Sequence, residues 1–400
     1  MDDRIVICRK DGTIITGIFR DGQCRKLSFE AEKGKVLRSG AFYTGRVEKI
    51  VPSMKACFVN IGLEENVYVP FEKLTNGVTS PQHKDERIHE GDRILVQIEK
   101  PPSKQKPASG VGDYSLAGTS VAFLRGRSGL HFSKKISDSG FRELVKREIR
   151  IPDDTSCGIM IRTNAFFYGI ETIRRELAAL SETEWEILKR FEYTEPGTCL
   201  YEGVPDYLLA FRDEYMLEQM DIVTDVPEVY RSMRQFFEMF IPERADRIRM
   251  HDSDSIGLYH LYEFKKNIDE AVSRKVWLKS GGNIVFDRTE AMTVIDVNSG
   301  KATAGSNGQE SLRRTNEEAA LEIARQLELR NLSGMILIDF INTGNKEDDR
   351  QLLQKMDGYT RKDRSYVSVV DMTALGIMEL TREKKEPPVS ERLKELNFIS

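Results

Sequence analysis

The chain has 400 residues, 40% of them hydrophobic and 31% charged, with a formal net charge of −4 at pH 7. This length favours two to four domains, and the mild acidity argues against a protein that coats nucleic acid non-specifically. No apolar run reaches the roughly 18 residues of a membrane span, and the N-terminus MDDRIVICRK lacks the features of a signal peptide. Five scattered cysteines without a CxxC pair indicate buried thiols in a cytoplasmic protein.

The N-terminal part is predicted to consist of short strands. RIVICRKDG and TIITGIFRDG, within residues 1–36, have the pattern of a hairpin pair. Five alternating segments follow in residues 37–124: GRVEKIV, KACFVNIG, NVYVPFEKL, RILVQIEK and TSVAFLR. Five strands at this spacing predict a small barrel of the OB type. The Pro-, Gly- and Lys-rich stretch PPSKQKPASGVGD is predicted to be a flexible loop within or beside the barrel.

The remaining chain is predicted to be helical and then α/β. Residues 125–191 contain the strand CGIMIRTN and a helical run from Gly169 to Phe191, and residues 205–275 read mostly as helices. Strands GNIVFD and MTVIDVN then precede a helix from Gln309 to Arg330, the buried strand GMILIDF, a helix from Asp348 to Tyr359 and the strand SYVSVVDM. The order strand, helix, strand predicts that MTVIDVN and GMILIDF are parallel neighbours.

Acidic side chains stand at the ends of these two predicted strands. Asp296 and Asn298 share one strand face, and Asp339 ends GMILIDF. The carboxyl ends of parallel strands open into one crevice, where facing carboxylates would repel unless a cation lies between them. Mg²⁺ with Asp296 and Asp339 as ligands, and with Asn298 orienting Asp296, would serve phosphodiester hydrolysis. The alternative is that each Asp caps the following turn.

Two further groups of residues suggest contacts with nucleic acid. Phe58 and Tyr68 point outward from neighbouring barrel strands and would stack on unpaired bases, while Lys106 in the loop could contact a phosphate. The alternative is a pair of half-buried aromatics beneath that loop. Arg162 and Thr163 end an apolar strand and combine a guanidinium with a hydroxyl, which suits a terminal phosphate. Such a dipeptide also occurs as an ordinary surface feature.

Four stretches together resemble the ribonuclease E/G family of bacterial endoribonucleases: VWLKSGGNIVFDRTEAMTVIDVNSGK, TNEEAALEIARQLELRNLSGMILIDF, GIMIRTN and KACFVNIG. The resemblance implies an α/β multidomain protein with an RNase H-like fold divided between residues 1–36 and 192–274. It places an inserted OB-type RNA-binding barrel at 37–124, a 5′-sensor segment at 125–191 and a DNase I-like catalytic subdomain at 275–400.

The resemblance also implies roles for individual residues. Members of this family cut single-stranded RNA to 5′-phosphate and 3′-hydroxyl products in rRNA and tRNA processing and in mRNA decay. The matching positions are Asp296 and Asp339 as Mg²⁺ ligands, Asn298 as the residue that orients Asp296, Phe58, Tyr68 and Lys106 as RNA contacts, and Arg162 with Thr163 as the 5′-monophosphate pocket.

The sequence departs from the family pattern in three places. LTREKKEPPVSERLKELNFIS has no cysteine, so a compact form is expected in which any homo-oligomer assembles without the family's zinc link. Asn342 stands where the family usually has a second acid, and Tyr366 stands where its sensor has a basic residue. The first hypothesis is a Mg²⁺-dependent endoribonuclease acting on single-stranded RNA. The alternatives are an RNA-binding protein with little or no cleavage activity and a metal-dependent phosphoesterase acting on small nucleotides.

Overall fold

The computed structural model describes residues 3–31, 37–75, 77–80, 87–102, 106–150, 156–213, 220–252, 256–300, 308–361, 363 and 365–398. The chain forms two compact units. One comprises Met1–Glu32, Gln219–Tyr230 and Arg247–Ser400, and the other comprises Lys33–Glu218 and Arg231–Asp246. Each unit contains both helices and sheets, which agrees with the predicted mixed α/β class.

Strands and helices are numbered separately along the chain. The strands are β1 (Arg4–Lys10), β2 (Thr13–Arg20), β3 (Gln23–Ala31), β4 (Phe42–Val51), β5 (Ala56–Asn60), β6 (Val67–Pro70), β7 (Thr79–Ser80), β8 (Arg93–Lys100), β9 (Ser109–Val111), β10 (Ser115–Ala117), β11 (Val121–Arg125), β12 (Gly129–Phe132), β13 (Cys157–Ile161), β14 (Cys199–Tyr201), β15 (Asp221–Thr224), β16 (Ile248–Met250), β17 (Lys275–Trp277), β18 (Asn283–Arg288), β19 (Met292–Asn298), β20 (Gly334–Asp339), β21 (Val367–Met372) and β22 (Ile377–Arg382). The α-helices are α1 (Ser139–Glu148), α2 (Ala165–Tyr193), α3 (Asp206–Asp213), α4 (Pro227–Phe240), α5 (Leu258–Leu261), α6 (Phe264–Val272), α7 (Gly308–Leu329), α8 (Lys346–Thr360) and α9 (Val389–Glu395).

The helices and the cysteines bear on what the composition predicts. Within the described ranges, every helix is too short or too polar to cross a lipid bilayer. The five cysteines are free thiols, and all except the half-buried Cys199 are buried. Burial raises the pKa of Cys57 to about 11 and that of Cys24 to about 12, so both thiols stay protonated near neutral pH.

The N-terminal strands belong to a sheet with the order β16-β15-β1-β2-β3. Antiparallel pairing of β1, β2 and β3 confirms the predicted hairpins, whose two-residue turns Asp11-Gly12 and Asp21-Gly22 have the positive φ angles of tight hairpin turns. β15 and β16 extend the sheet in parallel with β1. The sequence pattern of residues 205–275 predicts mostly helices and misses these strands, because three or four residues leave no clear alternation.

The C-terminal region contains a six-stranded sheet with the order β17-β18-β19-β20-β22-β21. β19 and β20 are parallel, as predicted from the order of elements. One face of this sheet packs against α7 and α8, whose apolar side chains recur at helical spacing, as in Ala319, Ala320, Ile323 and Leu327. α8 begins where the side chain of Asn345 accepts a hydrogen bond from the backbone N–H of Glu347 at 3.0 Å.

A closed barrel of five strands forms within the second unit, through the pairings β4-β5-β6-β9-β8 and β8 with β4. The predicted OB-like barrel is therefore confirmed, but the fifth strand was assigned wrongly. TSVAFLR forms β11 of a separate sheet, and the barrel is completed by β9, inside the predicted loop. A Cβ on Gly110 would lie 2.6 Å from Cγ1 of Val96, so this position needs glycine. With glycine in the middle of three residues, β9 lacks the alternation of apolar and polar side chains by which strands are predicted.

The separate sheet has the order β10-β11-β13-β12, and α2 packs against it. The strand CGIMIRTN and the following helix are both present as predicted, although the helix begins at Ala165 and bends at Gly169, whose φ is 78°. Positive φ values of this kind favour glycine. The division into five domains, with RNase H-like and DNase I-like parts, stays a prediction.

An ion pair lies buried in the C-terminal sheet. The side chains of Arg382 and Asp363 are each 4% exposed, and Nε of the guanidinium is 2.7 Å from Oδ2 of the carboxylate. Nη1 of Arg382 also donates to Oδ1 of Asn331 and to the carbonyl of Leu332, both at 2.9 Å. Because every nitrogen of the guanidinium has a partner, the charge is accommodated away from water.

Candidate functional site

Asp296 and Asp339 lie directly opposite each other in the parallel pairing of β19 with β20. Neighbouring strands are about 4.8 Å apart, so the two carboxylates can approach one ion. Both side chains are exposed, whereas the adjacent Ile295 and Ile338 are buried in the core beneath the sheet. The structure thus brings together the two aspartates that the sequence pattern predicts as partners.

Asn298 lies next to this pair at the end of β19. Its Nδ2 donates to Oδ2 of Asp296 at 2.7 Å, which is the orienting contact predicted from their two-residue spacing. Asn298 also pairs across the sheet with Asn283 of β18. A Cβ on Gly282 would lie only 2.7 Å from the carbonyl oxygen of Asn298, so glycine allows the two backbones to approach beside the site.

Two side chains of α7 hold the segments around the aspartates. The buried Asn316 donates to the carbonyl of Ile341 at 2.7 Å and accepts from the N–H of Ile341 at 3.0 Å. Glu318 accepts from the backbone N–H groups of Lys279 and Ser280 at 2.6 and 3.1 Å. These residues were not predicted as part of the site. The available signal was the polar Asn316 at an apolar-face position of the helix, three residues before Ala319.

The donor set fits a hard divalent ion such as Mg²⁺. Neither Asp296 nor Asp339 forms an ion pair with a described residue, so no protein cation competes for them there. The described residues contain no group of three or more His, Cys, Asp and Glu side chains placed to hold a metal. The protein would therefore supply two carboxylate ligands, and Mg²⁺ commonly takes its remaining ligands from water and phosphate. Asn342 instead closes its own turn, because its Oδ1 accepts from Gly344 N–H at 2.7 Å.

The predicted aromatic pair of the barrel is present. Phe58 and Tyr68 are opposite each other on β5 and β6, half-buried, with ring centroids 5.9 Å apart and planes inclined by 63°. Lys106 is exposed three residues before β9. The exposed Lys49 pairs with Phe58 across β4 and β5 and was not predicted. The feature of the sequence that could have indicated Lys49 is the pair of consecutive charged residues Glu48 and Lys49. The pairing of β4 with β5 is irregular at this point.

Arg162 and Thr163 follow β13, as predicted. The guanidinium of Arg162 donates to the carbonyl of Gly118, and its backbone N–H donates to the carbonyl of Ser120 at 2.8 Å. The hydroxyl of Thr163 is hydrogen-bonded to that of Ser133 at 3.0 Å. Arg162 therefore lies beside the segment that connects β10 and β11, whereas Thr163 is bonded to the residue that follows β12.

A fully buried carboxylate organises that connecting segment. Glu176 of α2 accepts hydrogen bonds from the backbone N–H groups of Ser120 and Val121 at 2.8 and 3.0 Å, and also from the hydroxyl of Thr119. Burial raises the pKa of Glu176, while these hydrogen bonds and the charge of Arg162 oppose the rise. This residue was not predicted, because its partners lie more than 50 residues away in sequence.

The model of the Ribonuclease E/G family matches residues 115–385. Ribonuclease G of Escherichia coli (strain K12) is 32% identical over 365 residues, which cover 89% of this chain and 74% of that protein. Ribonuclease E of Synechocystis sp. is 31% identical over 396 residues, which cover 96% of this chain and 57% of that protein. Ribonuclease E of Escherichia coli (strain K12) is 30% identical over 384 residues, which cover 93% of this chain and 36% of that protein. The chain belongs to the ribonuclease E/G family.

Proposed function

We propose that this protein is a Mg²⁺-dependent endoribonuclease that cuts single-stranded RNA. The observation that carries the proposal is the pairing of Asp296 with Asp339 on the exposed face of a sheet. Two turn-capping aspartates would not need to lie opposite each other. The relatives named ribonuclease G and ribonuclease E support RNA as the substrate.

The residues of this chain have distinct tasks in the proposed reaction. Asp296 and Asp339 would hold the ion, and the hydrogen bond from Asn298 fixes the rotamer of Asp296 and leaves its Oδ1 available. The chemistry that such an ion supplies when bound is polarisation of the scissile phosphoryl group and activation of the attacking water. Products with a 5′-phosphate and a 3′-hydroxyl follow if water attacks phosphorus and the 3′ oxygen leaves and takes up a proton.

The wider proposal includes architecture and biological role. We assign residues 1–36 and 192–274 to an RNase H-like part, and residues 275–400 to a DNase I-like catalytic part. The barrel would bind RNA through Phe58, Tyr68 and Lys106. The protein would act in rRNA and tRNA processing and in mRNA decay.

A cleavage assay tests the central claim. An internally labelled single-stranded RNA is incubated with the protein in Mg²⁺ or in EDTA, and the product ends are identified. We expect internal cleavage only with Mg²⁺, leaving 5′-phosphates. RNA binding without metal-dependent cleavage would instead support a binding protein, and faster hydrolysis of dinucleotides than of RNA would support a small-nucleotide phosphoesterase.

Removing the ring of Phe58 is expected to weaken RNA binding. Phe58→Ala should cost about 1–3 kcal/mol of binding free energy, because one base loses its stacking partner. Fluorescence anisotropy of a labelled oligoribonucleotide in EDTA measures this without cleavage. Phe58→Tyr should retain most of the affinity, and Tyr193→Ala, which removes an 81% exposed ring from α2, should change nothing. Equal affinities of Phe58→Ala and the unmodified protein would contradict the stacking role.

Arg162 is expected to govern recognition of the 5′ end. Arg162→Ala should remove the preference for 5′-monophosphorylated over 5′-hydroxyl RNA, a change of about tenfold or more in the ratio of kcat/KM values. Arg162→Lys keeps the charge but loses the planar fork, so it should recover only part of that preference. Arg174→Ala is the control, since Arg174 of α2 is paired with Glu148 of α1 and with Glu171 of α2. An unchanged preference in Arg162→Ala would exclude the sensor role.

A further inference from the structure

The exposed face of the six-stranded sheet extends beyond the aspartates toward the edge strand β17. Across that face, Lys275 pairs with Val285 of β18, and Val285 pairs with Asp296 of β19. Residues paired in this way point to the same side of a sheet, so Lys275 shares the face of Asp296 and Asp339. Two strand spacings separate Lys275 from Asp296, which is about 10 Å.

Trp277 occupies the next position of β17 on the same face. It pairs with Asn283, which in turn pairs with Asn298 beside the aspartates. The indole is 68% exposed, whereas the intervening Val276 is buried in the core. The ammonium of Lys275 lies 4.1 Å from the centre of the indole ring. Among the described residues Lys275 has no carboxylate partner, so its charge faces the solvent beside the ring.

We propose that Lys275 and Trp277 form a nucleotide subsite for single-stranded RNA, adjacent to the phosphate that is cut at Asp296 and Asp339; this inference rests on the proposed function. One face of the indole is covered by the ammonium, and a base stacks on the other face. The ammonium contacts the phosphate of that nucleotide. Stacking tolerates any base, so the subsite would position the strand without selecting its sequence.

The chemistry of the face favours an RNA strand over other partners. A base-sized aromatic surface beside a cation is the combination that binds unpaired nucleotides. The paired positions across β17, β18 and β19 place this combination in line with the acidic pair. A strand whose phosphate lies at the aspartates can therefore reach the indole with a neighbouring base.

The chain contains two tryptophans, and the second provides a matched control. Trp185 on α2 is 59% exposed and has the ammonium of Lys189 4.6 Å from its ring centre, so it has the same cation–aromatic contact on a helix of the other compact unit. Trp185→Phe leaves Trp277 as the sole emitter, and Trp277→Phe leaves Trp185. Each full-length variant is titrated in EDTA with a short oligoribonucleotide and with an abasic strand of equal length.

We expect the oligoribonucleotide to quench Trp277 emission saturably and to leave Trp185 emission unchanged. Trp277→Ala should weaken binding of the oligoribonucleotide about 5- to 100-fold, and Trp277→Phe should retain most of it. Lys275→Gln should lower the slope of log Kd against log salt concentration by about 0.7, as expected for one lost phosphate contact. Trp185→Ala should bind normally.

Three results would overturn the subsite. The first is unchanged Trp277 emission and unchanged affinity of Trp277→Ala in a protein that cleaves RNA, which would leave the proposed function standing. The second is equal quenching by the abasic strand, which would exclude stacking on a base. The third is loss of self-association in Trp277→Ala, measured by sedimentation, with RNA affinity intact, which would assign the surface to a second copy of the chain. Failure of the proposed function would appear separately, as absence of cleavage by the unmodified protein.

Discussion

Asp296→Asn and Asp339→Asn are each expected to lower kcat for RNA cleavage at least about a thousand-fold, which corresponds to roughly 4 kcal/mol of transition-state stabilisation. The reason is that either change removes one of the two carboxylates that face each other across β19 and β20. RNA affinity in EDTA should stay within about twofold, because the proposed contacts of the barrel would still hold the strand. Single-turnover cleavage in Mg²⁺ and anisotropy in EDTA measure the two quantities.

The controls for this prediction come from the same sheet. Asp287 is an exposed acid of β18 that forms an ion pair with Arg274, whose Nε is 2.6 Å from Oδ1 of the carboxylate. Asp287→Asn should therefore leave cleavage unchanged. Asn298→Ala removes only the contact that orients Asp296, so an intermediate loss of about 10- to 100-fold is expected. The double variant of Asp296 and Asp339 should be no worse than either single variant, since both would act on one ion. Full activity of either single variant would refute the metal site.

The largest effect on stability is expected from Arg382. Arg382→Met should lower the free energy of unfolding by about 3–5 kcal/mol, because Asp363 would remain buried without a counter-charge. Urea unfolding followed by circular dichroism measures the change, and the slope of the transition should be unaltered.

Two comparisons separate charge from packing in that experiment. Adding Asp363→Leu to Arg382→Met should recover much of the loss, because no unpaired charge then remains inside the sheet. Arg361→Ala breaks an exposed pair with Asp357, four residues earlier on α8, and should cost less than about 1 kcal/mol. If the single Arg382 variant were as stable as the unmodified protein, the buried pair would have no structural role.

Two strands of the six-stranded sheet, β17 and β22, were not predicted, and Arg382 explains why β22 was missed. In β22 the buried positions are Met378, Leu380 and Arg382, so the inward pattern ends with a charged residue. Its partner Asp363 is 19 residues earlier, and no local rule of hydrophobic alternation connects them. By contrast, β19 and β20 were predicted because their buried positions next to the aspartates, such as Ile295 and Ile338, are apolar.

The site was predictable to the extent that it depends on local spacing. Alternation along a strand places Asp296 and Asn298 on one face, and the parallel order brings Asp339 beside them. The contacts of Asn316 and Glu318 could not be predicted, because their partners are backbone groups 25 to 39 residues away. Lys49 and Trp277 join their sites through strand pairing, which also depends on distant parts of the chain.

The pairing of Asp296 with Asp339 makes the site sensitive to chain length. Inserting one residue into β19 before Asp296 would send its carboxylate toward the helices and bring an apolar side chain outward. The aspartates would then sit on opposite sides of the sheet, although every residue of the site would still be present. A grafted or redesigned version must therefore keep the length of both strands to keep the two carboxylates together.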